Sequence, residues 1–407
     1  MVILCYVLGS VGIFFQKHAV VIHQYKGQHM KIVIAPDSFK ESLNALEVAN
    51  AIEKGFKHIF PDATYVKVPM ADGGEGMVQA LIDATQGKLM EMEVTAPLGN
   101  SIIASFGISG DGKTAMIEMA AASGLALVPK EQRNPLLTTT YGTGELIRAA
   151  LNHGVEKIIL GIGGSATNDG GVGMLQALGA QFLDANNQPI AMGGAALAHL
   201  ARVDYSNLDA RLHNVHFEVA CDVDNPLYGT HGASAVFGLQ KGATPQMIQT
   251  LDYALQHYAH IVQRDLGKDI AHVAGAGAAG GMGAALLTLP NVELKAGVQI
   301  VIETVNLVQS VADADWVITG EGRMDAQSIR GKTPIGVARI AKQFGKPVVA
   351  IVGCLGEDYE IVFNHGIDAV FPIISRLGSL EDTLAHAEYN LISTAQNVAR
   401  LQQLSQK

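Results

Sequence analysis

Five short polar loops carry the residue types that phosphoryl transfer uses. They hold Asp37, Ser38 and Lys40; Asp72, Gly73, Gly74 and Glu75; Gly163, Gly164, Ser165, Thr167, Asn168 and Asp169; Asp222 and Asn225; and Glu321, Arg323 and Asp325. Carboxylates beside hydroxyls and glycines suit Mg2+, which takes few protein carboxylates and lets water and phosphate oxygens complete its octahedron. The isolated cations Lys40, Arg323 and Lys332 suit the charge that develops on a moving phosphoryl group. Each loop alone has a plainer reading, because Asp and Asn favour helix N-caps and Asx-turns. Five of them, most placed just after an apolar run, point together to a binding cleft.

The glycine loops narrow the chemistry further. Residues 158–173 read as a buried strand entering a ligand loop, with Gly163, Gly164, Gly170 and Gly171 letting backbone approach where a Cβ would clash. Such backbone N–H groups at a helix start can cradle an anion. The Walker pattern GxxxxGK[ST] is absent, so this is no P-loop. Residues 275–280 spell GxGxxG literally, yet no strong strand precedes them and no ribose-binding acid follows. For residues 277–283, with Gly280 and Gly281, ligand contact and close packing of small residues stand as alternatives. Ser165 lacks the GxSxG elbow of a serine hydrolase. Few aromatics, with one tryptophan, argue against stacking on sugars.

Strands and helices must hold these loops in place. Residues 31–35 form an apolar strand, and apolar positions at spacing three to four from Leu43 to Ile59 mark a helix stopped by Pro61. A second strand, residues 64–68, delivers Asp72 to Glu75 at its C-terminal end, where open α/β sheets bind ligands. From Leu89 the period changes to two, and residues 90–94, 102–108 and 114–119 read as an antiparallel meander. A helix over 143–153 leads to the strand before Gly163, another strand ends at Asp222, and 245–266 is a long scaffold helix. After residue 290 the strand–helix rhythm returns, with helices at 298–310, 334–344 and 358–365, strands at 316–319, 347–352 and 369–373, and a terminal helix. The two chain ends resemble each other more than the middle. One parallel α/β domain from residues 30–90 and 290–407 is therefore expected, with a mixed α/β domain, residues 91–289, inserted into it.

Composition excludes several partners. A formal charge of −10, with no lysine or arginine run, argues against nucleic acid. Cys5, Cys221 and Cys354 form no CxxC pattern, which suits a reducing, cytoplasmic setting. His213 and His216 lack companion ligands at metal spacing and read as a surface pair. The apolar residues 1–15 are shorter than the roughly 20 a spanning helix needs and lack a basic n-region. No membrane association is expected. Residues 1–29 read as an N-terminal extension, with translation expected to start at Met30, and nothing in the chain speaks for or against a homo-oligomer.

Five motifs resemble the bacterial glycerate kinase family. They are residues 31–43, around Pro36-Asp37-Ser38-Phe39-Lys40; residues 69–76, with Asp72-Gly73-Gly74-Glu75; residues 161–171, with Gly163-Gly164-Ser165-Ala166-Thr167-Asn168-Asp169; residues 221–227; and residues 319–325, ending Arg323-Met324-Asp325. They occur in the family's order over residues 30 to about 402. The resemblance implies a flavodoxin-like domain made by both chain ends, an inserted second α/β domain, and a cleft between them. It also implies ATP- and Mg2+-dependent phosphorylation of D-glycerate to 2-phosphoglycerate in organic acid utilisation. Within it, Lys40 and Arg323 are expected to hold phosphate or carboxylate. Asp72, Asp169 or Asp222 serve as base or Mg2+ ligand, and Glu321 and Asp325 as further metal ligands. Asp37, Ser38, Gly73, Gly74, Glu75, Gly163, Gly164, Ser165, Thr167, Asn168, Asn225, Gly280 and Gly281 are the substrate- or nucleotide-binding candidates. A non-catalytic glycerate or nucleotide sensor, and a kinase for another small hydroxy acid, are the competing readings.

Overall fold

The computed structural model describes residues 30–405, so the expected extension, residues 1–29, lies outside the described residues. Two sheets organise the chain. The first is wholly parallel, in the spatial order Thr64–Lys67, Lys31–Pro36, Trp316–Gly320, Val348–Val352, Ala369–Pro372. Numbered along the chain that order is 2-1-3-4-5, the flavodoxin-like arrangement. The second has six strands. Val292–Lys295, His216–Ala220, Lys157–Gly161 and Thr114–Glu118 run parallel, and Ser101–Ile108 and Lys88–Thr95 extend it as the expected antiparallel meander. The protein is a mixed α/β fold with both chain ends in one sheet and the middle in the other.

The sheets are layered with helices because their central strands bury both faces. On the outer face of the five-stranded sheet, Ile32, Ile34, Ile318 and Ile351 pack on Val48, Ile52, Phe56, Leu391 and Ala395. Those side chains come from the helices Ala45–Lys57 and Ala387–Ser405. Ala45–Lys57 starts at a capping box in which Asn44 accepts from the Glu47 amide and Glu47 reaches back to the Asn44 amide. The inner face, with Val33, Ala35, Val317 and Ala350, shares one apolar cluster with Met116, Ile159 and Ala220 of the other sheet. Met77–Thr85 and Gly297–Thr304 supply the helical part of that shared layer. The far face of the six-stranded sheet is closed by Tyr141–Asn152, Val172–Ala177 and Pro245–Leu266.

Gly73 and Gly297 make a close approach between the segments that carry the two sheets. A Cβ on Gly73 would lie 2.6 Å from the Gly297 Cα, and its φ of +93° is the left-handed conformation that glycine tolerates. This joint fixes the loop carrying Asp72 against the strand end carrying Asp222.

The helical periodicity after residue 290 is right in phase but too continuous. The expected helix over 298–310 is two, Gly297–Thr304 and Leu307–Ala312, broken where Asn306 turns left-handed at φ 51°. Residues 359–365 form a 3-10 helix, and the C-terminal helix is preceded by a separate short one, Leu380–Ala385.

Candidate active site

The strand order of the five-stranded sheet reverses between Lys31–Pro36 and Trp316–Gly320, and ligands of open α/β sheets sit at such a switch point. Asp37 and Glu321 emerge there. Both are nearly buried, at 8% and 7% exposed. Asp37 accepts from the Ser38 amide at 2.7 Å and from the Thr333 hydroxyl at 2.6 Å. Glu321 accepts from the Ser328 hydroxyl at 2.5 Å and from Lys332 Nζ at 3.4 Å. Burial, with the charge of Asp72 added, pushes the Asp37 carboxyl up to about 6. Burial likewise pushes Glu321 up to about 7, with Asp37 contributing and Ser328 and Lys332 opposing.

Two cavities open from this edge. The outer one, about 590 Å³, is lined by Asp37, Ser38, Lys40, Glu321 and Arg323 at its polar end and by Phe39, Ile373, Leu384 and Ala387 on its apolar wall. The inner one, about 360 Å³, runs between the sheets and is lined by Gly73, Gly74, Gly163, Gly164, Ser165 and Asp222, among others. Lys40 and Asp72 line both. The structure therefore joins residues from all five polar loops, though not every member of each, around two cavities that share Lys40 and Asp72. Asp222 accepts from the Gly297 amide at 3.0 Å, and its carboxyl is raised by burial and by Asp72. Asp72 has one internal partner, the Gly74 amide at 3.2 Å. Arg323 is exposed, with Nε 3.3 Å from Asp325 Oδ2.

Other expected site residues stand behind the wall. Asp169 lines neither cavity and is 1% exposed. Its Oδ2 accepts from the Thr140 amide and hydroxyl, both at 2.8 Å, and from the Gly173 amide at 3.3 Å, while Oδ1 accepts from the Gly171 amide at 3.1 Å. Burial raises its carboxyl, and those donors pull it back. This carboxylate ties the glycine loop to the start of the helix Tyr141–Asn152 and is not presented to a ligand. Thr167 and Asn168 are fully buried beside it. Gly280 packs on them: a Cβ there would lie 2.0 Å from the Thr167 carbonyl oxygen, and Gly170 N–H donates to the Gly280 carbonyl. A Cβ on Gly281 would lie 2.8 Å from the Gly170 Cα, so these two glycines serve close packing, while Ala278 and Ala279 of the same loop line the inner cavity. Glu75 is exposed outside both cavities, and Asn225 donates to the His231 carbonyl at 2.8 Å.

Of the two expected metal ligands, Glu321 faces the outer cavity and Asp325 does not. The Asp325 Oδ1 accepts from the Gln327 amide, and its own amide donates to Ser328 Oγ, which in turn holds Glu321. Asp325 thus shapes the loop. The donor set that remains, Asp37, Asp72 and Glu321, is all hard oxygen. Burial raises both Asp37 and Glu321 most, with Asp72 adding to the first and Asp37 to the second, while Lys40 and Lys332 oppose them. Hard carboxylate oxygens are the ligand type a divalent cation takes, with water and phosphate oxygens completing its shell.

Lys241 escapes sequence reasoning altogether. It closes a short 3-10 turn in no recognisable motif, yet it is 2% exposed and lines the inner cavity.

Similarity to known proteins accords with this geometry. The profile of the glycerate kinase family matches residues 32–403. A glycerate kinase of Haemophilus influenzae is 71% identical over 91% of this chain and 98% of its own length. The glycerate 2-kinase of Escherichia coli K12 is 58% identical over 91% of this chain and 97% of its own length. A crystal structure from Salmonella typhimurium LT2, assigned as glycerate kinase 2, superposes with a TM-score of 0.87 at 58% identity and covers 93% of this chain and all of that one. The chain belongs to the glycerate kinase family.

Proposed function

We propose that this protein transfers the γ-phosphoryl group of ATP to the 2-hydroxyl of D-glycerate across the strip where its two cavities meet. The observation that carries the reading is that Lys40 and Asp72 line both cavities. The outer cavity has the larger volume and the apolar wall, which suits a nucleoside. The inner one is smaller, glycine-rich and less apolar, with Ser165, Asp72, Asp222 and Lys241 on its wall, which suits a short hydroxy acid.

In this reading each residue acts through its position. Asp72, with one carboxylate oxygen uncommitted, accepts the proton of the attacking hydroxyl. Lys40 and Arg323 offset negative charge on the phosphates and on the moving phosphoryl group. Asp37 and Glu321 would hold Mg2+, which neutralises phosphate charge when bound. The backbone of Gly73, Gly74, Gly163 and Gly164 lets the substrate lie close to the wall. Asp222 shapes the inner cavity from its bond to Gly297, and Asp169 keeps the glycine loop in register. No described helix is long and apolar enough to cross a membrane.

Incubation with ATP, Mg2+ and D-glycerate, followed by ADP detection and phosphorus NMR of the product, tests the reading. ADP with 2-phosphoglycerate is expected; no ADP from folded protein would leave a binding protein without turnover.

A further inference from the structure

Lys241 is a buried lysine on the wall of the inner cavity, with no ion pair among the described residues. Its Nζ donates to Ser165 Oγ at 2.7 Å and to the Thr167 carbonyl at 2.6 Å, and no carboxylate among the described residues lies within salt-bridge distance. Asp169 is the acid that acts on it through space, but the Asp169 oxygens are taken by Thr140, Gly171 and Gly173. An ammonium has three N–H donors, so two acceptors leave one over. A buried charge lacking a counter-ion is unfavourable unless something supplies one. Burial holds the amine down to about 7, and an incoming carboxylate would favour its charged, three-donor form.

Ser165 completes the arrangement. Because its oxygen accepts from Lys241, its hydroxyl hydrogen is free to donate, and Ser165 also lines the inner cavity. Two donors thus stand together on one wall. The other charged groups lining that cavity are Lys40, Asp72 and Asp222. The two carboxylates repel a carboxylate and accept from a hydroxyl, whereas Lys241 and Ser165 do the reverse. Lys40 also borders the outer cavity, where the phosphates belong.

We propose that Lys241, with Ser165, receives the carboxylate of the acceptor substrate and so makes the protein select hydroxy acids over uncharged alcohols. The assignment rests on the reading that D-glycerate occupies the inner cavity. It orients the substrate with its carboxylate at the Lys241 wall, leaving a hydroxyl for Asp72. Wild-type turnover of glycerate reads the function itself; steady-state kinetics of Lys241→Met and Ser165→Ala read this assignment.

For Lys241→Met the KM for D-glycerate is expected to rise about 10- to 100-fold, the loss of a charge-assisted hydrogen bond. The KM for ATP should stay unchanged, a split that a merely structural role does not produce. Ser165→Ala, which leaves the amine in place, is expected to raise the same KM by a smaller factor. If Lys241→Met does not fold, as judged by circular dichroism, Ser165→Ala decides. An active wild type with an unaltered glycerate KM in the folded variants, or a rise confined to the KM for ATP, overturns the assignment.

Discussion

Asp37 and Glu321 sit side by side, each the first residue beyond adjacent parallel strands whose last paired residues are Pro36 and Gly320. The strand register therefore sets the spacing of the two acids, and the closed surroundings set their charge. Both hold their protons to higher pH than ordinary carboxyls, at about 6 and about 7. Two buried acids of like charge at the C-terminal ends of neighbouring strands do not stabilise a fold, which marks them as candidates for binding a ligand.

A pH signature follows. A carboxyl whose pKa is higher in the folded protein than in the unfolded chain makes stability decline as pH rises between the two values. Here that window runs from 3.8 to about 6 for Asp37 and from 4.5 to about 7 for Glu321, with a plateau above. Asp37→Asn and Glu321→Gln should each flatten the decline and raise unfolding free energy at pH 8 by about 1–3 kcal/mol. Urea denaturation across pH without ligand checks it. Wild-type and variant stability curves that run parallel through this window would contradict the assignment of charge.

The same variants should lose the metal's help. Glu321→Gln removes a hard anionic ligand while keeping an acceptor for Ser328, so kcat is expected to fall by about 10²-fold or more with a higher Mg2+ requirement. Titration of activity against Mg2+ reads this, and a mutant with the wild-type Mg2+ curve would remove Glu321 from the metal site.

Asp169→Asn is expected to weaken the fold more than the chemistry. An amide nitrogen would face the donors of Thr140, Gly171 or Gly173 in place of a carboxylate oxygen, an unfavourable pairing of about 2–4 kcal/mol. Thermal melting should drop, while kcat per folded molecule stays within about tenfold of wild type. A stable variant with kcat lost by orders of magnitude would return Asp169 to the catalytic set.

Gly73→Ala tests the joint. The added Cβ meets the Gly297 Cα at 2.6 Å in a left-handed backbone, so the Asp72 loop must move away from Asp222. Destabilisation of about 2–4 kcal/mol with reduced kcat is expected. Unchanged melting and unchanged kinetics would show that the approach is not tight in solution.

Hydrophobic period is a local property of an amino-acid sequence, and the elements that depend on it are legible there. The alternation of Met90, Met92 and Val94 locates the antiparallel edge, and the apolar run at residues 31–35 locates the central strand. The polar loops are legible as a set, and each contributes at least one residue to the walls of the two cavities. Their individual roles are not. Asp169 and Asp72 look alike in sequence, each following an apolar segment beside glycines, and only tertiary packing shows that one is enclosed by four donors and the other is open. Gly280 and Gly281 read equally as ligand loop or packing until the Thr167 backbone is seen against them. Lys241 carries no signal, since its partners Ser165 and Thr167 lie more than seventy residues away.

Asp72 is where the account is most exposed. It borders both cavities and has one internal hydrogen bond, so Asp72→Asn should preserve melting behaviour and remove turnover. The direct measurement is phosphorus NMR of wild type and Asp72→Asn, each given ATP, Mg2+ and D-glycerate. The expected result is 2-phosphoglycerate from the wild type and at least about 10³-fold slower product formation from the variant. Wild-type product phosphorylated at the 3-hydroxyl, or a variant that matches the wild-type rate, would contradict it.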